Sequence, residues 1–191
     1  MRAQAEAFGF NTDDLSVPTR VATSVYPTQL DAPALARTGI GQDDVQVTPL
    51  QMALVAAGIA NGGEVMKPYL VREVQAPDLS LLVRTEPERY KRAVTREIAT
   101  ELTRMMQLVV ENGSGTAAKI DGIAVAGKTG TAQHAAGRPP HAWFIGFAPA
   151  NDPRVAVAVV VEDGGDAGSE ATGGRLSAPI ARDVMRAVLR R

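Results

Sequence analysis

The 191 residues are enough to bury one sizeable core, and 45% apolar with 21% charged residues is an ordinary makeup for a globular protein. A formal net charge of −1 and 4% aromatics give no electrostatic basis for binding nucleic acid or an anionic membrane, and no platform for stacking bases. The absence of cysteine excludes disulfides, thiolate metal sites and a Cys nucleophile.

Taken in chain order, Met1 to Phe8 is Ala-rich and predicts a helix stopped by Gly9. A helix that starts uncapped at the first residue suggests a chain cut upstream, and these opening residues lack the apolar core of a signal peptide. Residues 11 to 47, rich in Asp, Thr, Pro and Gly, read as connecting structure. Thr48-Pro49-Leu50-Gln51 then predicts a helix start, with Thr48 as cap, Pro49 in the first turn and Gln51 as the capping-box partner. Asn61-Gly62-Gly63 ends that helix. Two short strands are expected at Tyr69 to Val74 and Leu79 to Arg84, followed by a helix from Thr95 to Glu111 with Ile98, Leu102, Met105 and Val109 on one face.

After Gly122 the apolar period changes to two, predicting a strand from Ile123 through Lys128. Further strands are expected around Trp143 to Phe147 and at Val155 to Val161, joined as an antiparallel pair by Asn151-Asp152-Pro153. The longest strongly apolar run, residues 154 to 162, is far too short to span a bilayer. A Gly-rich loop follows, and Ser177 is expected to cap a last helix whose Ile180, Val184 and Val188 share a face. The fold class is therefore α+β, an antiparallel sheet covered by helices, with no internal repeat and no second domain.

The stretch GIAVAGKTGTAQ, residues 122 to 133, fits two incompatible patterns. Gly122 to Thr129 matches the phosphate loop G-x-x-x-x-G-K-[ST], while Lys128-Thr129-Gly130 is the K-T-G triplet of penicillin-reactive serine enzymes. A phosphate loop needs a flexible Gly-rich turn and a helix directly after the Lys. Here the intervening residues are Ile-Ala-Val-Ala, and Gly137, Pro139 and Pro140 follow soon after, so the phosphate-loop NTPase is the weaker reading. On an extended strand, Lys128 and Gly130 fall on one side, Thr129 and Thr131 on the other. Two hydroxyls beside a cation suit a substrate carboxylate, and Gly130 lets a ligand backbone approach.

The surroundings of the triplet decide between these. Gly39-Ile-Gly-Gln42, Val47-Thr-Pro-Leu-Gln-Met-Ala53, Ile59-Ala-Asn-Gly-Gly63, Gly113-Ser-Gly-Thr-Ala117, Val125 to Gln133 and Ala142 to Pro149 together resemble the transpeptidase domain of class B penicillin-binding proteins, from about Phe8 to the C-terminus. The resemblance implies a partial β-lactamase/transpeptidase-like fold, no cofactor, and a site in which Lys128, Thr129 and Gly130 line an edge strand. Thr131 would supply an oxyanion backbone N–H, the hydroxyls of Thr129 and Thr131 would bind the carboxylate of a stem peptide or β-lactam, and Gln133 would lie further along the groove. It further implies peptidoglycan stem peptides and β-lactams as ligands, the cell-wall division or elongation machinery as partner, and an extracytoplasmic place on the bacterial membrane through an anchor not in these residues.

The family's nucleophile is the Ser of S-x-x-K, with a second signature S-x-N. Three positions beyond Ser16, Ser24, Ser80, Ser114, Ser169 and Ser177 stand Thr19, Pro27, Val83, Ala117, Thr172 and Ile180, none of them Lys. Two positions beyond the same serines there is no Asn. Both signatures precede the matched region in the family, so residues 1–191 are expected to be the C-terminal part of a single transpeptidase domain, unable to form an acyl-enzyme alone. An apolar edge and face are expected to be exposed. The rival readings are a non-catalytic binding module of the same fold and a β-lactamase or β-lactam sensor.

The remaining candidates have plainer explanations. His134 and His141 flank a Gly-Arg-Pro-Pro turn with no carboxylate close in sequence, and are expected to be loop residues. Asp43-Asp44 reads as a solvated loop pair, Glu162-Asp163 with Asp166 lacks regular calcium-ligand spacing, and Met105-Met106 reads as core filling.

Overall fold

The computed structural model describes residues 1–15 and 17–190. Three helices come first: α1 (Arg2–Ala7), α2 (Ala32–Thr38) and α3 (Pro49–Ala60). The second lies inside the stretch expected to be connecting structure. Asp31 starts it by accepting from the Ala34 N–H at 2.7 Å, with a proline in the first turn. Thr48 caps α3 as expected, accepting from the Gln51 N–H at 3.1 Å. The capping box does not close, however. Gln51 is buried and its side chain donates instead to the Phe8 carbonyl at 2.8 Å, while the Thr48 N–H is taken by Ser24 Oγ at 3.1 Å. A long-range partner thus displaces the local one.

Between α3 and the next helix the chain makes two antiparallel hairpins. In the outer one β1 (Glu64–Met66) pairs with β4 (Arg89–Arg92), and in the inner one β2 (Glu73–Gln75) pairs with β3 (Leu81–Arg84). The inner strands are shorter than the expected Tyr69 to Val74 and Leu79 to Arg84, and every residue in them is exposed. Helix α4 (Arg96–Asn112) follows, capped by Thr95. Its buried line is Ala99, Met106 and Val110, with Leu102 half-buried, whereas Ile98 and Met105 are each 49% exposed. The seam is turned by about one residue from the predicted face, because the small Ala99 allows close approach where the larger Ile98 does not.

The central sheet has three antiparallel strands in the order β5 (Ala126–Ala132), β6 (His141–Ala148), β7 (Val155–Val161). β7 has the predicted bounds. β5 starts three residues later than expected. Gly122, at φ +74°, reverses the chain and Ile123 bridges back to Ile120, so the first alternating residues belong to a turn. Gly127 and Gly146 face each other across β5 and β6, and the Phe144 ring lies over them; a Cβ on Gly127 would fall 2.3 Å from that ring.

Apolar clusters lie on both faces of the sheet. On one side Phe144, Val157, Ala178, Ala181 and Met185 close against α5 (Ala178–Leu189). On the other, Phe147 and Ala126 pack with Ile59 of α3 and Met106 of α4. Ser177 does not cap α5. The chain enters that helix through a wide turn, Gly173–Ser177, begun by Thr172, whose hydroxyl accepts from the Arg175 N–H. The buried Ser177 hydroxyl donates to the Ala142 carbonyl at 2.8 Å. Ile180, Val184 and Val188 do share a face, but it is the exposed one, and Ala178, Ala181 and Met185 are buried. β7 has β6 as its one strand partner among the described residues, leaving its outer edge open. Among the same residues no helix is long and apolar enough to cross a membrane.

Candidate functional site

Residue register builds the site. Lys128 pairs with Ile145, Gly130 with Trp143 and Ala132 with His141, so these six residues share one sheet face. They form one wall of a groove of about 570 Å³. The opposite wall is the loop 40–47 together with Phe10 and Met52. Asp43 and Asp44, expected to be solvated, hold left-handed backbone in that loop and border the groove, and Asp43 is tied to Arg37 at 2.6 Å.

Thr129 and Thr131 fall on the other face, as alternation predicts, and border the groove from the open edge of β5. Lys128 is exposed, and its ammonium donates to the Thr129 carbonyl at 2.5 Å. Gln133 extends the groove beyond the strand end. With β6 as its one strand partner among the described residues, β5 leaves alternate N–H groups of residues 128–132 pointing outward, available to an extended ligand. Lys128 sits within a strand that continues into a turn and β6 rather than a helix, which removes the phosphate-loop reading.

Two features were not read from the sequence. Ser114, in the turn after α4, places its Oγ 2.6 Å from Thr129 Oγ1. It lies within the Gly113 to Ala117 segment, but neither spacing nor residue type pointed to its partner fifteen positions away. The second feature is a pair of rings. His134 and His141 stack with centroids 3.9 Å apart and planes 4° from parallel. The carboxylate they lack in sequence is supplied by Asp163, whose Oδ1 lies 2.9 Å from His134 Nε2. Arg138, bonded to the same carboxylate, holds Asp163 below the usual carboxylate range.

A K-T-G strand open at its edge, facing a groove, and followed by two antiparallel strands under a terminal helix has a close match among known proteins. The family model described as penicillin binding protein transpeptidase domain matches residues 1–186. The chain belongs to this family.

Peptidoglycan D,D-transpeptidase PbpA of Mycolicibacterium smegmatis is 49% identical over 193 residues, and that of Mycobacterium tuberculosis H37Rv 46% identical over 192. These alignments take in 100% and 99% of this chain but 39% of each relative, so the chain spans well under half the length of the curated relatives it matches. Among solved structures, penicillin-binding protein A from M. tuberculosis in a ceftriaxone acyl-enzyme complex superposes with a TM-score of 0.93 at 46% identity, covering 98% of this chain and 42% of that one. The likeness extends over the antiparallel sheet and its helices, as the α+β reading requires. The penicillin-binding signatures S-x-x-K and S-x-N are absent from all 191 residues.

Proposed function

We propose that this chain supplies the K-T-G side of a penicillin-binding D,D-transpeptidase site that cross-links peptidoglycan through an acyl-enzyme. The observation that carries the reading is the placement of Lys128, Thr129 and Gly130 on an open-edged strand along a groove. In this role the hydroxyls of Thr129 and Thr131 and the Lys128 ammonium bind the donor peptide's terminal carboxylate or that of a β-lactam. Ser114 orients the Thr129 hydroxyl. The Thr131 N–H stabilises the oxyanion, and Gln133 meets the extended donor beyond the strand end.

The serine that attacks the donor carbonyl, and the base that takes its proton, come from polypeptide outside these residues. The same applies to the second oxyanion N–H. The open β7 edge and the exposed Ile180–Val184–Val188 face are where the complementary part of the transpeptidase domain packs. The activity belongs on the outer side of the bacterial membrane, where peptidoglycan and the cell-wall machinery are. Taken alone, these residues lack the S-x-x-K serine and form no acyl-enzyme.

Reconstitution tests this. Mixing or co-expressing the chain with a segment of a relative carrying S-x-x-K and S-x-N should give covalent labelling by a fluorescent penicillin. Lys128→Ala in this chain should cut the labelling rate by about 10²-fold, the range seen on removing one electrostatic stabiliser. Labelling unaffected by Lys128→Ala would overturn the reading.

A further inference from the structure

A second cluster of chemically capable side chains lies at one end of the sheet. His134 follows β5, His141 opens β6, and Asp163 stands two residues beyond β7. The ladder pairs Ala132 with His141 and Ala142 with Val161, so the three strand ends lie side by side. One ligating atom from each residue lies within 4.8 Å of the other two. We propose that His134, His141 and Asp163 bind a divalent transition-metal ion of the Zn²⁺ class, which clips the turn 133–140 to the segment Glu162–Glu170. The cluster lies at the Gln133 end of the same groove, which both histidines border, but metal binding there does not depend on the transpeptidase reading.

The donor set selects the ion. Two imidazoles and one carboxylate form a set that Zn²⁺ takes up readily, leaving a fourth position for water. Calcium and magnesium favour oxygen ligands throughout, and a thiolate-seeking ion finds no sulfur here.

The two Asp163 oxygens are in different environments. Oδ2 is held by Arg138, an outer partner of the kind that fixes ligating carboxylates. Oδ1 is out of solvent contact and accepts no hydrogen bond. His134 Nε2 lies 2.9 Å from Oδ1 and 3.0 Å from the Pro139 carbonyl, so a single ring N–H faces two acceptors. A carboxylate oxygen out of solvent contact and without a well-formed hydrogen bond is under-satisfied, and a cation at this point would satisfy it. Asp163 is further held in left-handed backbone at φ 49°, with its N–H donated to His141 Nδ1 at 3.0 Å, and this aims the carboxylate at the rings.

Coordination requires a rearrangement. Parallel stacked imidazoles direct their lone pairs side by side rather than to one point, so the rings must splay. His134 must also carry its proton on Nδ1 in place of Nε2, and His141, whose Nδ1 lone pair accepts the Asp163 N–H, must give up that hydrogen bond to ligate through that nitrogen.

The chain's two histidines are both in this cluster, so in tag-free protein every imidazole signal reports the site. On titration with zinc chloride, long-range ¹H–¹⁵N spectra should show both imidazoles shifting and saturating at one equivalent. The melting temperature should rise with zinc. Asp163→Asn should weaken binding, measured by competition with a chromophoric chelator, by more than the roughly 10–100-fold that loss of an outer partner costs, and His134→Gln at least as much. Far-UV spectra of the metal-free variants check their folding. Imidazole resonances that do not move with zinc in the unmodified chain would overturn the proposal. So would variants that bind zinc as tightly as the unmodified chain.

Discussion

The hydroxyls of Ser114 and Thr129 lie 2.6 Å apart, tying the turn after α4 to the middle of the K-T-G strand. Replacing Ser114 by Ala leaves Thr129 free to change rotamer and removes one net hydrogen bond, worth about 0.5–1.5 kcal/mol. Urea melts should show that loss. In the reconstituted site, β-lactam labelling should slow several-fold, and Ser114→Thr should restore it because the bond, not the residue, orients Thr129.

The chain by itself holds no S-x-x-K serine. Incubated alone with a fluorescent β-lactam and run on a denaturing gel, it should carry no label. A labelled band would mean that a serine of this chain acts as nucleophile, contrary to the division of the site proposed above.

Gly173 begins the turn into α5 directly behind the sheet. A Cβ there would lie 1.9 Å from the Trp143 carbonyl oxygen and 2.7 Å from that of Gly130. Both are backbone atoms that cannot swing aside. Gly173→Ala should therefore cost about 3 kcal/mol or more, at the upper end for overpacking, and should displace the strand that carries the groove. Thermal melting measures the cost.

The two faces of α5 predict opposite responses. Met185 is fully buried against Phe144 and Val157, and Met185→Ala should cost about 2–5 kcal/mol. Val184 is 44% exposed, and Val184→Lys should change stability by no more than about 0.5 kcal/mol while reducing the binding of hydrophobic dyes.

Tyr90 links the outer hairpin to Asp14, and its phenol is pushed up to about 12, by burial first and by the Asp14 hydrogen bond second. An unfolded tyrosine loses its proton near the ordinary value of 10.0. Between these values the folded chain keeps a proton that the unfolded chain has released, so stability should fall as pH rises through that window. Below it both states are protonated and Tyr90 contributes no slope. Urea melts stepped across the window should show the decline, and Tyr90→Phe should reduce it.

The sequence by itself determined the features that depend on neighbours along the chain. The Thr48 cap, the bounds of β7, the alternation that separates Lys128 from Thr129, and the family motifs are all local, because caps and strand periods involve residues a few positions apart. Tertiary structure decided every choice between partners. It chose the Ala-Met line of α5 over the Ile180–Val184–Val188 stripe, because small residues allow the helix to lie on the sheet. It took Gln51 and Ser177 from their expected caps to satisfy distant carbonyls, since a buried polar group far from water bonds to whatever the packing brings near. It joined Ser114 to Thr129, and Asp163 to two histidines more than twenty residues before it, because antiparallel pairing sets side by side strand ends that the sequence keeps far apart.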